Sequence, residues 1–242
     1  MSKLLSANLA RLWKSKVFWL GAAFMLALAV YIMLSTALSY PPQNNESFDT
    51  LYFGYSQILG FCCAVFTSLF LGTEYSDGTI RNKIIVGHSR PRIYLANLAT
   101  VFTAMLFMMA AWLVGALVGF PFFGPLENPA GCLVNFIAGV FTTAAFSAIF
   151  TFIAMLCSSK TLSAVISIIS FLGLSVLASN IGYEPVRDFL PTGQAIWVAG
   201  APVNNSILAL LGSVLVTISG SVLIAAAITR IGIFMFQNKD LK

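Results

Sequence analysis

Apolar residues run along this chain in six long blocks separated by short polar segments. The blocks cover residues 17–38, 54–73, 94–120, 132–157, 162–179 and 205–229, and none contains Asp, Glu, Lys, Arg or His. A helix needs about 20 mostly apolar residues to cross a bilayer, so the pattern predicts six transmembrane helices. The first block follows a basic segment, as a signal peptide core would. It is longer than such a core, and five more blocks follow it, so it reads as a retained span.

The polar segments between the blocks predict shorter elements. Residues 1–16 form an amphipathic stretch, with Leu5, Leu9, Leu12, Trp13 and Lys16 at helical spacing and Lys3, Asn8, Arg11 and Lys14 around the rest. A helix lying at the inner headgroup level fits, with Trp13 at the interface. Residues 74–93 predict a short loop helix over 77–86, capped by Ser76 or Asp77 and closed by Gly87 in the left-handed position. Ile80 and Ile84 share a face of it, while Arg81 and Lys83 point elsewhere. Pro91 suits the first turn of the next helix. Residues 180–204 are broken by Pro185, Pro191 and Gly193, which predicts two short helices dipping into the outer leaflet.

Composition supports a lipid environment. Of 242 residues, 59% are hydrophobic and 9% charged, against about 25% charged in soluble domains. Charge placement sets the topology. Lys3, Arg11, Lys14, Lys16, Arg81, Lys83, Arg90, Arg92, Lys160, Arg230, Lys239 and Lys242 all fall on one side of the six-span path, and Arg187 alone on the other. The positive-inside rule then places both termini in the cytoplasm. These cations are anchors at anionic headgroups, not a nucleic-acid footprint. The expectation is a single all-α transmembrane domain over residues 1–242, multi-pass in a bacterial cell membrane.

Several chemistries lack their residues. No ionisable group lies inside a span, which weighs against proton coupling. No phosphate-binding G-x-x-x-x-G-K-[ST] run occurs, and the loops are too short to fold a nucleotide-binding domain. The one histidine, His88, sits in a loop, so the spans hold no base for an intramembrane enzyme. Asn135, Thr142, Ser147, Ser163 and Ser167 are candidates either to line a passage or to bond between helices. The residues alone leave open an ion-coupled transporter or channel, and an immunity protein that binds a toxin without moving it.

The elements together resemble the type-2 family of ABC-transporter membrane subunits. The matching features are the basic helix at 3–16, the stretch 74–83 with Glu74 before Gly78-Thr79, the Pro191-Thr192-Gly193 turn, and the basic tail at 238–242. The resemblance implies a permease without an ATPase site of its own. It would pair with a second copy, identical or not, and rest on a separate ATPase that binds ATP and Mg. Glu74, Asp77, Gly78, Thr79, Ile80, Arg81, Lys83 and Ile84 would form the coupling segment. Lys3, Arg11, Trp13, Lys14 and Lys16 would belong to the interfacial helix. Glu184, Arg187, Pro191 and Gly193 would act near the outer gate. By size and loop pattern the chain is similar to permeases that export amphipathic peptides, antimicrobials or toxins.

Overall fold

The computed structural model describes residues 2–39, 49–123, 129–157, 159–200 and 207–239. Its elements are α1 (Ser2–Lys14), α2 (Lys16–Ser39), α3 (Asp49–Tyr52), α4 (Tyr55–Ser76), α5 (Thr79–Ile85), α6 (Arg90–Ala116), a 3₁₀ turn (Leu117–Gly119), α7 (Phe120–Phe123), α8 (Pro129–Leu156), α9 (Lys160–Asn180), α10 (Glu184–Arg187), α11 (Pro191–Gly200) and α12 (Ile207–Gln237). No strand occurs among the described residues. Lipid offers the backbone no hydrogen-bond partners, so a spanning segment must satisfy itself as a helix. The six blocks become α2, α4, α6, α8, α9 and α12, all long and apolar enough to cross a membrane.

The helices run past the apolar blocks at their charged ends. The second apolar block stops at Thr73, but α4 continues to Ser76 and takes Glu74 into the helix. The last span reaches Gln237 instead of stopping at residue 229. Arg230 stays exposed on it, its long stem carrying the charge outward. Residues 205 and 206, read as the start of that span, lie outside the described residues, as do 201–204 of the outer hairpin.

Close approach organises the bundle. A Cβ on Gly115 would meet Leu26 O at 2.6 Å, so α6 lies directly against α2. Gly60 and Gly72 play the same part for α4 against α9, facing Phe171 and Lys160, and Gly139 brings α8 onto Tyr55 of α4. α4 and α8 form the centre, with 61% of their most apolar windows buried, against 17% for α9. The core contains fully buried Trp112, Tyr55, Tyr94, Phe18, Phe146, Phe150 and Phe236. α12 packs chiefly on α8, and α1 on α6.

The α4–α6 connection follows from two glycines. Gly78 has φ +66° and Gly87 φ +93°, the left-handed region that costs other residues energy. Gly78 closes α4, donating its N–H to Tyr75 O, and its own carbonyl accepts from Asn82 N in the first turn of α5. The residue just past the cap of one helix therefore begins the next. The expected cap at Ser76 or Asp77 is corrected accordingly: Asp77 terminates α4, and Gly78 occupies the N-cap with no side-chain bond. At the far end Gly87 N bonds Ile84 O and His88 N bonds Lys83 O, the paired pattern of a glycine-closed helix. Ser89 then leads into α6 with Pro91 in its first turn.

Candidate functional site

The ends of the spans that carry the basic residues gather around one carboxylate. Glu74, in the last turn of α4, is completely buried. A buried carboxylate is tolerated only with partners, and α1, α5 and α6 each supply one. Arg11 Nη1 donates to Glu74 Oε1 at 2.5 Å and Lys83 Nζ donates to the same oxygen at 2.6 Å. Asn97 Nδ2, on α6, donates to Oε2 at 2.8 Å. Asn8 completes a ring: its Nδ2 donates to Asn97 Oδ1 at 2.7 Å, and its Oδ1 accepts from Lys83 Nζ at 2.9 Å. Arg11 is held further by Phe70 O at 3.2 Å and by the Phe70 ring, 4.1 Å from the guanidinium carbon.

Burial sets the electrostatics of the cations. It holds the Lys83 ammonium and the Arg11 guanidinium below their ordinary values, and the pull of Glu74 only partly offsets this. Losing Glu74 would therefore leave both cations without the acceptor that offsets the cost of their burial.

Two expectations are corrected here. Glu74, expected in the coupling segment, is not exposed there, because α4 extends one turn and carries it in toward α1 and α6. Arg11 does not stand free as an anchor but turns onto Glu74, with 32% of its side chain exposed. The face of α1 that packs on the bundle is Leu4, Asn8 and Leu12, with Arg11 partly covered beside it. The leucine count in α1 pointed to the neighbouring face, but the polar side has a polar site to enter. Lys3, Lys14 and Lys16 are exposed, and Trp13 is half-exposed in an aromatic group with Phe18, Trp19 and Phe107.

On α5, Ile80 is buried and Ile84 is half-buried against the core. They fasten the helix to the bundle. Asp77 and Arg81 are exposed, and Gly78 and Thr79 are half-buried. The residues that stand free are Ile85 and Val86, 74% and 77% exposed. The sequence reading missed this pair; the signal was available, because a face that starts at Ile80 and Ile84 leaves Ile85 on the other side of a 3.6-residue turn.

The hydrogen-bond hub at the opposite end is made of neutral groups. Gln194, on α11, is fully buried. Its Oε1 accepts from Ser221 Oγ of α12 at 2.6 Å and from Thr142 Oγ1 of α8 at 3.5 Å, and its Nε2 donates to Phe189 O at 3.1 Å. Thr192 Oγ1 donates to Leu174 O of α9 at 2.8 Å, and Ser56 Oγ of α4 donates to Ala195 O at 2.7 Å. Gly193 is required here, since a Cβ would lie 1.8 Å from Arg187 O. Pro191 opens α11 and Glu184 opens α10. Arg187 Nε donates to Asp188 Oδ1 at 2.9 Å.

The five candidates for lining a passage are all buried within the chain. Ser167 accepts from Ser68 of α4 at 3.0 Å, Ser147 donates to Thr143 O, and Thr142 reaches Gln194. Asn135 Oδ1 and Ser163 Oγ have no hydrogen-bond partner among the described residues. Of the two uses open to these residues, bonding between helices accounts for Ser167 and Thr142 in this conformation, while the bond of Ser147 stays within α8. The grooves lie elsewhere and are almost wholly apolar. One of about 610 Å³ lies between α8, α9 and α12, lined by Ile149, Phe152, Gly173, Leu177, Pro191 and Ile224. Others of about 370 and 310 Å³ lie between α4, α9 and α11 and between α2 and α4.

Fold and site together define a multi-pass α-helical membrane protein whose loop helix is tied into the bundle by a buried ion-pair cluster. The profile described as ABC-2 family transporter protein matches residues 4–174, from α1 through most of α9. The chain belongs to the ABC-2 transporter family. It is accordingly a membrane subunit of an ABC transporter, of the kind that works with a separate ABC ATPase subunit. A comparison with curated proteins finds no match.

Proposed function

We propose that the chain is the permease of an ATP-driven exporter and that α5 is the element its ATPase moves. One observation carries this reading: the Glu74 ring fastens α5 to α1, α4 and α6, while Ile85 and Val86 stand exposed beyond it. An apolar pair at the tip of a rigidly held helix suits a groove on a partner protein. The basic bias supports a cytoplasmic position for this end. The partner ATPase binds ATP and Mg; this chain contributes the mechanical link.

The exported cargo in this reading is amphipathic or hydrophobic, a peptide of the antimicrobial or toxin kind. Grooves lined almost wholly by apolar residues between the spans support a cargo that moves at least partly through the membrane phase. A second permease copy completes the path. The exposed apolar side of α9, with Leu162, Ile169, Leu172, Val176 and Leu177, supports pairing with another membrane helix.

The test is co-purification with the cognate ATPase. Replacing Ile85 and Val86 together by Asp should reduce recovery of the ATPase and its transport-linked hydrolysis by at least about tenfold, as expected when a central apolar anchor is lost. Unchanged assembly and transport in that variant would overturn the assignment of α5. Nucleotide-free, ion-driven accumulation of a solute by the lone chain in liposomes would overturn the permease reading itself.

A further inference from the structure

The last carbonyls of any helix have no partner within it and carry the negative end of the helix dipole. At the charged end of this bundle two such sets are met by cations from other elements. Arg90 Nη1, at the start of α6, donates to Phe236 O, Gln237 O and Lys239 O at 3.2, 2.8 and 2.6 Å, closing α12. Lys239, just beyond α12, does not cap its own helix. It crosses to α8 and donates to Met155 O at 3.1 Å and Leu156 O at 2.9 Å. Its ammonium also lies 4.5 Å from the centre of the Tyr75 ring and donates to Tyr75 Oη at 3.3 Å. Tyr75 in turn donates its hydroxyl proton to Met155 O.

This second cluster touches the first. Tyr75 follows Glu74 in α4. Met155 Sδ accepts from Asn97 Nδ2 at 3.5 Å, the same nitrogen that bonds Glu74. Polar contacts therefore run without a break from Lys83 on α5, through Glu74 and Asn97, through Met155, to Lys239 after α12. α12 and α8 pack on each other more extensively than any other pair of helices, so whatever moves their ends moves a large part of the bundle.

We propose that Lys239 is a positioning residue of the coupling machinery, a latch that ties the ends of α8 and α12 to α4 so that a displacement of α5 reaches all three together. The proposal rests on the reading of α5 as the driven element, but the latch is testable without an ATPase. A residue that merely closed a helix would bond that helix alone, as Arg90 does for α12; Lys239 joins the ends of α8 and α12 to Tyr75 of α4.

A double-mutant cycle separates a latch from a cap. The full-length chain in nanodiscs is measured by hydrogen exchange at the last turns of α8 and α12. Lys83→Met should accelerate exchange there in the wild-type background. In a Lys239→Gln background that acceleration should shrink by about threefold or more, the size expected of coupled rather than independent sites, and Lys239→Arg should restore it. If Lys83→Met does not fold, Asn8→Ala breaks the ring at a neutral member and takes its place. An equal response in both backgrounds, or no response at α8 and α12 in the wild type, overturns the latch. Neither result bears on the docking of Ile85 and Val86, which the ATPase recovery assay reads separately.

Discussion

The two ends of the bundle solve the same problem with different chemistry. At the charged end, α1, α4, α5 and α6 meet at Glu74 through two ion pairs and two amides. At the opposite end, α8, α11 and α12 meet at Gln194 through hydroxyls and one backbone carbonyl. An ionic hub is strong when complete and costly when broken, because removing one member leaves charge in a poorly solvated place. A neutral hub loses less when a member goes. The ionic hub sits where, in the proposed function, force enters, and the neutral one holds a hairpin against the spans. Within the proposed function, an ionic hub suits an end that moves as one piece, and a neutral hub suits an end whose hairpin parts from the helices.

The largest effect should come from Glu74→Ala. Three donors lose their acceptor, and the expected cost is about 3–5 kcal/mol for a broken buried pair, toward the lower figure because the Arg11 side chain is 32% exposed and can turn to water. Thermal unfolding in detergent measures the loss, and Glu74→Gln should lie between it and the wild type. Gln194→Leu comes next. It leaves Ser221 without its acceptor and should cost about 1–3 kcal/mol by the same measurement. If Gln194→Leu proves as damaging as Glu74→Ala, the contrast between the two ends fails.

A smaller effect is expected at the hinge of the charged end. Gly78→Ala meets no neighbour within 4 Å, so its whole penalty is the left-handed backbone, about 1–2 kcal/mol. Gly78→Asn should recover part of it, since asparagine tolerates that region. A Gly78→Ala protein as stable as the wild type would mean that α4 and α5 are not joined by this conformation.

Much of this was legible before the structure. The spans were, because lipid demands long uninterrupted apolar helices and little else produces them. The turn at Gly87 was, because left-handed backbone selects glycine. The hubs were not. Asn97 lies inside an apolar block and looks like an isolated polar residue, and nothing local links it to Asn8, 89 positions earlier. Gln194 looked like a loop residue because the hairpin's flanking prolines and glycine dominate its neighbourhood. Glu74 gave a partial signal. It is one of very few acids on the side that holds twelve of the thirteen basic residues, so cation partners were to be expected, and Arg11 and Asn8 already shared a face of α1. What the sequence could not supply was the extra turn of α4 that carries the carboxylate in toward α1 and α6.

The finest distinction concerns which force governs the ionic hub, and pH reads it. Burial, with a smaller push from Arg11, lowers the Lys83 pKa from the ordinary 10.5, and Glu74 only partly offsets this. Between the lowered value and 10.5 the unfolded chain therefore holds more protons than the folded one. Stability attributable to Lys83 rises with pH through that window. Lys83→Met lacks this titration, so the wild type should gain on it, with the difference between their melting temperatures widening as the pH climbs toward 10.5. The change is small because only one group titrates and it is not fully enclosed. A difference that narrows instead would mean that pairing with Glu74 outweighs burial at Lys83, and that the two ends of the bundle differ even more in ionic character than the geometry implies.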